Sequence, residues 1–158
     1  MLAELPTAAP VLYCSFWVGK RQFGVPVLLV KEVHAPTATT PIPGTPPAVR
    51  GYVNLRGNLY LLIDPDELLT GDAKPVAADG DLIVFKATAG ENFAIQTDRV
   101  GDIVAVRGEQ IAVPKTDAGQ ASGRQRCTES LIIGHAKLDH TLLTLVEPRE
   151  LLAAVFGD

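Results

Sequence analysis

Two stretches of this chain are variants of one another, and a fold that hosts them must be built from two related units. Gly51 to Leu69 reads GYVNLRGNLYLLIDPDELL, and Gly134 to Leu152 reads GHAKLDHTLLTLVEPRELL. Laid together without gaps, eight of nineteen positions are identical: Gly51/Gly134, Leu55/Leu138, Leu59/Leu142, Leu62/Leu145, Pro65/Pro148, Glu67/Glu150, Leu68/Leu151 and Leu69/Leu152. A weaker echo precedes each copy. Phe23 to Val33 (FGVPVLLVKEV) is followed seventy residues later by Phe93 to Ile103 (FAIQTDRVGDI), with Phe23 on Phe93, Val30 on Val100 and Glu32 on Asp102. The echoes come in the same order in each half. Such internal periodicity marks repeated supersecondary units, here two lobes joined near residues 70–80.

The repeated unit reads as mostly β. FGVPVLLVKEV is rich in Val and Leu and short for a helix, and Pro26 suits a strand start or an edge. In GYVNLRGNLYLLID, Val53 and Leu55 alternate with Asn54 and Arg56, so one face is apolar and the other wet. Gly57-Asn58 supplies turn chemistry between two strands, and Asp139-His140 takes that place in the second copy. Each hairpin then runs into a short helix start. Asp64 serves as N-cap, Pro65 fits the first helical position and Glu67 completes a capping-box pattern. Glu147-Pro148-Arg149-Glu150 repeats this with a poorer cap, and the Leu-Leu pairs that follow pack one helical turn on the sheet.

Composition sets the class. With 158 residues, 47% hydrophobic and 20% charged, the chain has enough apolar mass for one compact domain. A net charge of −4 lacks the basic face expected for nucleic acid, and gives no reason to expect anionic membranes as a partner. The N-terminus has no basic segment followed by an apolar core, and no apolar run approaches the roughly 20 residues of a membrane helix. Cys14 and Cys127 lie far apart in no CxxC pattern, as free thiols of a reducing compartment would. The expected location is the cytoplasm. The five prolines of residues 34–50 read as a stiff extended connection rather than a PxxP ligand. The polar segment 114–130 reads as a mobile loop.

Motifs for chemistry are missing. No GxSxG surrounds a serine, and Cys14 in Tyr13-Cys14-Ser15-Phe16-Trp17 reads as a buried strand residue rather than a nucleophile. Neither GxxxxGK[ST] nor GxGxxG occurs. His135 and His140 are five apart across a hairpin, which suits no common zinc pattern. Asp64 and Asp66 form the one close carboxylate pair to weigh as hydrolytic machinery, but capping accounts for Asp64. The expectation is no catalytic residue, no metal and no cofactor.

The stretch VLYCSFWVGKRQFGVPVLLVKEV, a Pro-containing loop and VRGYVNLRGNLYLLIDPDELL together resemble the CheW-like domain of bacterial chemotaxis. F-G-[VI] leading to V-x-E-[VI], and G-x-x-N-L-R-G before an apolar strand ending in Asp, carry the likeness. FAIQTDRVGDIVAV and IIGHAKLDHTLLTLVEPRELL resemble that family's second lobe.

The resemblance implies an all-β fold of two intertwined SH3-like five-stranded barrels sharing a hydrophobic core, within one domain at 11–152. Lobe one would span about 20–75 and lobe two about 80–152, with terminal segments crossing between them. It implies a non-enzymatic adaptor that binds the cytoplasmic tip of methyl-accepting chemoreceptors and the regulatory domain of a CheA-type histidine kinase, with no nucleic acid and no membrane insertion. The family's receptor-contacting positions fall on Val30, Glu32, Gly51 and Arg56, and the rest of the NLRG segment, Asn54 and Gly57, belongs with them. From the residues alone, Arg56 and Glu32 read as solvated charges, Val30 as core or anchor, and Gly51 as conformational. Pro65 departs from the family's usual Leu, and lobe two has Lys137-Leu138-Asp139-His140 where lobe one has NLRG. The alternatives are a related module of a pilus-motility or other sensory array that does not activate the kinase, and a hydrolase acting through Asp64/Asp66.

Overall fold

The computed structural model describes residues 9–70, 79–113 and 131–157. In chain order the strands are β1 (Val11–Val18), β2 (Arg21–Pro26), β3 (Val30–His34), β4 (Thr39–Thr40), β5 (Val49–Leu55) and β6 (Asn58–Ile63). Helix α1 (Asp66–Thr70) follows, then β7 (Leu82–Phe85), β8 (Phe93–Gln96), β9 (Arg99–Val106), β10 (Ile111–Ala112), β11 (Ile132–Lys137), β12 (Leu142–Val146) and α2 (Leu151–Phe156). The strands form two six-stranded sheets, ordered β4-β5-β6-β8-β7-β3 and β10-β11-β12-β2-β1-β9. Five longer strands and a two-residue edge strand make up each sheet, where five were expected.

The two orders are the same order, strand for strand, and the sequence echoes explain why. β5–β6 and β11–β12 are the stronger repeat. β2 and β8 begin the weaker one. The copies have exchanged partners. β2, from the first half, pairs in parallel with β12, and β8, from the second half, pairs in parallel with β6. Even the register repeats. Phe23 lies opposite Thr144 and Phe93 opposite Leu61, which are equivalent positions in the two repeats. Residues 21–26 therefore belong to the sheet of lobe two, and residues 82–85 and 93–96 to the sheet of lobe one, so that segments cross between the lobes.

Burial follows this exchange. Strand side chains alternate between two faces, so each sheet presents an inner face to its own lobe and an outer face to the other. Val53, Leu55, Tyr60, Leu62, Leu82, Val84 and Ala94 fill lobe one. Tyr13, Val106, Ala136, Leu143 and Leu145 fill lobe two. A larger cluster lies between them, with Phe16, Phe23, Phe85 and Phe93 fully buried at its centre. Phe16 stacks on Phe23 at 5.8 Å between centroids and Phe85 on Phe93 at 4.9 Å. Leu69 of α1 and Leu151 of α2 close this shared core.

Two local readings change. FGVPVLLVKEV is not one strand: β2 ends at Pro26, a single 3₁₀ turn spans Val27–Leu29, and β3 starts at Val30. Pro26 has no N–H for a ladder and so ends a strand here instead of starting one. The hairpin turn is Arg56-Gly57 rather than Gly57-Asn58, because Leu55 lies opposite Asn58. Arg56 and Gly57 take φ of 55° and 85°. A two-residue turn with both φ positive matches the twist of the flanking strands. At the second hairpin Leu138 N–H donates to the Thr141 carbonyl (2.9 Å) around Asp139-His140.

The helix starts are capped as the sequence suggests. Asp64 Oδ1 accepts from Asp66 N–H (3.0 Å), and Glu147 accepts from Arg149 N–H (3.1 Å) with Pro148 next to it. Side-chain hydrogen bonds from Arg149 hold the Glu147 carboxyl below the usual carboxylate range, against the opposing effect of its burial. The 114–130 loop and Cys127 lie outside the described residues.

Gly51 and Gly134, the leading residues of the repeat, mark a break in register in each hairpin. At both, the two-residue edge strand comes too close for a side chain. A Cβ at Gly51 would overlap the carbonyl oxygen of Thr40, and one at Gly134 would sit 2.7 Å from Ile111 Cγ2 and 3.0 Å from the Ala112 oxygen. Gly51 also has φ of 138°, which L side chains rarely adopt. Gly51→Ala should cost about 3 kcal/mol through combined strain and displacement of β4. Chemical denaturation of wild type and variant measures this, and a loss within about 0.5 kcal/mol would show that β4 moves freely.

Candidate partner interface

The NLRG segment builds its own presentation of Arg56. Alternation on β5 sends Val53 and Leu55 into the lobe and leaves Asn54 in solvent. Asn54 Oδ1 then accepts from Gly57 N–H (2.9 Å) and ties the turn to the strand. Arg56, held in the left-handed region, projects from the turn with its side chain 73% exposed.

Its guanidinium does not hang free. It forks onto Glu32 of β3, Nη2 to Oε1 at 3.1 Å and Nη1 to Oε2 at 3.2 Å. Paired donors facing paired acceptors make this the preferred arginine–carboxylate geometry. β3 is one edge strand of its sheet and β5 lies next to the other edge. A contact between them means that the sheet curls until the edge meets the hairpin. Beside it Lys31 Nζ donates to Tyr60 Oη (2.8 Å) and lies 5.4 Å from the centre of the same ring. Two side-chain bridges thus close the mouth of lobe one.

Of the six positions expected at a partner face, four meet here: Glu32, Asn54, Arg56 and Gly57. Val30 starts the same strand, but it is half-buried and packs against the shared core. Gly51 is buried at the other end of β5, where its role is the bulge already described. Lys31 and Tyr60 were missed. The signal was present in the repeat, since Tyr60 stands where lobe two has Leu143. Lobe two makes neither bridge, because Gly101, Asp102, Asp139 and Leu143 occupy the positions of Lys31, Glu32, Arg56 and Tyr60.

The face around Arg56 is apolar as well as charged. Ile63 and Leu61 of β6 belong to the shared core. Further along the same face Leu59 emerges at 55% exposure opposite Asn54, and Tyr52 at 42% opposite Leu61. Charges bordering exposed Leu and Tyr are the usual makings of a protein-binding surface.

The proposed hydrolytic pair has other work. Arg50 Nη1 donates to Asp64 Oδ2 (3.0 Å), and the other oxygen of Asp64 caps α1. Cys14 is buried on β1, and that burial raises its thiol pKa. Among the described residues no group of three His, Cys, Asp or Glu is placed to hold a metal ion, and no helix is long and apolar enough to cross a membrane.

Comparison with known proteins agrees over almost the whole length. Residues 12–156 match the family model described as CheW-like domain. The chain is 26% identical over 143 residues to the chemotaxis protein CheW of Klebsiella aerogenes, covering 90% of this chain and 81% of that one. It is 25% identical over 153 residues to the chemotaxis protein CheW of Bacillus subtilis, covering 96% and 92%. The crystal structure of the scaffolding protein TtCheW from Thermoanaerobacter tengcongensis superposes with a TM-score of 0.71 at 21% identity, over 87% of this chain and 88% of that one.

The Glu32–Arg56 fork is solvent-facing on the arginine side, so its coupling should be small. A double-mutant cycle of Glu32→Gln and Arg56→Gln should give about 0.5 kcal/mol from thermal unfolding. A coupling above about 2 kcal/mol would instead make the pair a main support of the lobe.

Proposed function

The chain belongs to the CheW-like domain family, and on that premise we propose that it is a non-enzymatic adaptor coupling chemoreceptors to a histidine kinase in chemotaxis signalling. The observation that carries this is the match of residues 12–156 to the family over both lobes, not over a single motif. The two-sheet architecture with its exchanged strands supports the same reading. So does the assignment of Asp64, one of the two carboxylates weighed as catalytic, to a cap and an ion pair.

The finer reading is that the mouth of lobe one receives the receptor. Receptor tips are helical hairpins, and a helix docks by laying apolar side chains into a groove with charged groups at its border. Leu59 and Tyr52 offer the apolar contact, and Arg56 the charge. Arg56 would accept a receptor carboxylate by turning its fork from Glu32 to the partner, exchanging one charge-assisted pair for another. Asn54 and Gly57 hold the turn that aims it. Val30 contributes through β3 from its half-buried position, and Gly51 acts through the shape of β5. The kinase partner is the regulatory domain of a CheA-type kinase, engaged elsewhere on the molecule, and the setting is the cytoplasm.

With the receptor fragment and kinase regulatory domain from the same genome, Arg56→Ala should weaken receptor binding by roughly ten- to a hundred-fold, the worth of a charge-assisted bond. It should leave kinase binding unchanged. Titration of each partner by calorimetry reads both. A wild-type chain that binds neither partner at low or moderate salt would end the coupling role. A variant that keeps full receptor affinity would move the receptor face away from Arg56.

A further inference from the structure

A second concave surface lies away from the Arg56 turn, under the proline-rich connection between β3 and β5. Pro36, Thr39, Pro41, Arg50, Asp79 and Gln96 line about 560 Å³. Binding sites for small molecules commonly enclose about 300–1,000 Å³ with a few convergent polar groups.

The polar groups in this groove are only partly used. Gln96 is 2% exposed, at the end of β8, and its amide Nε2 donates to the Gly80 carbonyl (2.7 Å). The amide oxygen has no hydrogen-bond partner among the described residues, and since no buried side-chain oxygen there lacks one, it keeps contact with solvent and stays open to a donor. Arg50 is the second such group. Its side chain is 24% exposed, and one nitrogen, Nη1, is committed to Asp64. Nε and Nη2 have no partner among the described residues. Asp79 adds an exposed carboxylate to the same lining. Next to it, a side chain on Gly80 would overlap the Thr97 carbonyl. Thr97 is itself bonded to the Asp81 carbonyl through N–H (3.0 Å) and Oγ1 (2.9 Å).

We propose that this groove binds a small zwitterion, a free α-amino acid, with its carboxylate on the unused guanidinium N–H groups of Arg50 and its ammonium on the Gln96 amide oxygen and the Asp79 carboxylate. Guanidinium forks suit carboxylates, and an ammonium supplies three donors for acceptors such as these. An added peptide strand is the poorer occupant. β4 is only two residues long, and Pro36 and Pro41 on either side of it present no N–H for a ladder.

The test is a titration of isotope-labelled protein followed by amide NMR, with glycine, L-alanine, acetate and methylamine each as probe. Glycine and L-alanine have five and six heavy atoms, and within the higher efficiencies open to very small ligands they bind at about 1 mM. The amino acids should therefore saturate shifts confined to residues 36–41, 50, 79–80 and 96, and the two half-ligands should bind at least roughly tenfold more weakly. Asp79 is exposed, so Asp79→Asn should fold normally, and it should weaken amino-acid binding roughly tenfold while leaving the response to acetate unchanged. No saturable shift from either amino acid up to about 10 mM would overturn the proposal. So would acetate binding as well as glycine, or an Asp79→Asn variant that binds glycine like the wild type.

Discussion

The parallel pairing of β2 with β12 and of β8 with β6 is the constraint on which the rest of the molecule depends. Each pairing joins strands from opposite halves of the sequence. Without them neither sheet is complete, and Phe23 and Phe93 lose the strands that place them. Both rings belong to the stacked pairs at the centre of the shared core. Burying one such side chain stabilises by about 1.5–3 kcal/mol, so the four phenylalanines contribute much of what a domain of this size has in hand. The two lobes therefore rise and fall together. A binding event on one of them acts on a body that has no independent halves, as an adaptor between two partners requires.

On this symmetric frame the lobes differ at their mouths. Lobe one closes its mouth with Arg56–Glu32 and Lys31–Tyr60. Lobe two has Asp139, Asp102, Gly101 and Leu143 at those places and keeps only the frame: the bulge at Gly134, the cap at Glu147 and the buried Leu151. The repeat thus separates residues that build the fold in both copies from residues that form bridges in one copy alone. Leu62/Leu145 and Leu69/Leu152 are identical because equivalent strands and helix starts need them. Arg56 and Tyr60 are unmatched, and the bridges they make are found in lobe one alone.

Much of this was legible in the sequence, for identifiable reasons. Alternation of Val53 and Leu55 with Asn54 and Arg56 gave the faces of β5, and Asp64-Pro65 and Glu147-Pro148 gave the helix starts. The exchange of partners could not be read from the repeat, although the resemblance to CheW-like domains implied segments crossing between lobes. A repeat says which segments are alike, and two like hairpins offer β2 and β8 equally good places. The turn was displaced by one residue because Gly57 alone seemed to demand a positive φ, whereas Arg56 adopts one as well, with Asn54 securing the turn. The contact between Glu32 and Arg56 depends on how far the sheet curls, which no local pattern records. The resemblance to CheW-like domains pointed to both residues as partner contacts without indicating that they face one another.

Coupling requires that the chain hold both partners at once, on separate surfaces of one rigid body. The most direct measurement is the mass of the complex formed when the chain, the receptor fragment and the kinase regulatory domain are mixed at concentrations above both dissociation constants, read by light scattering after size exclusion. The account predicts a ternary species containing all three. Two binary complexes that displace one another would contradict it, because a single shared surface cannot couple a receptor to a kinase.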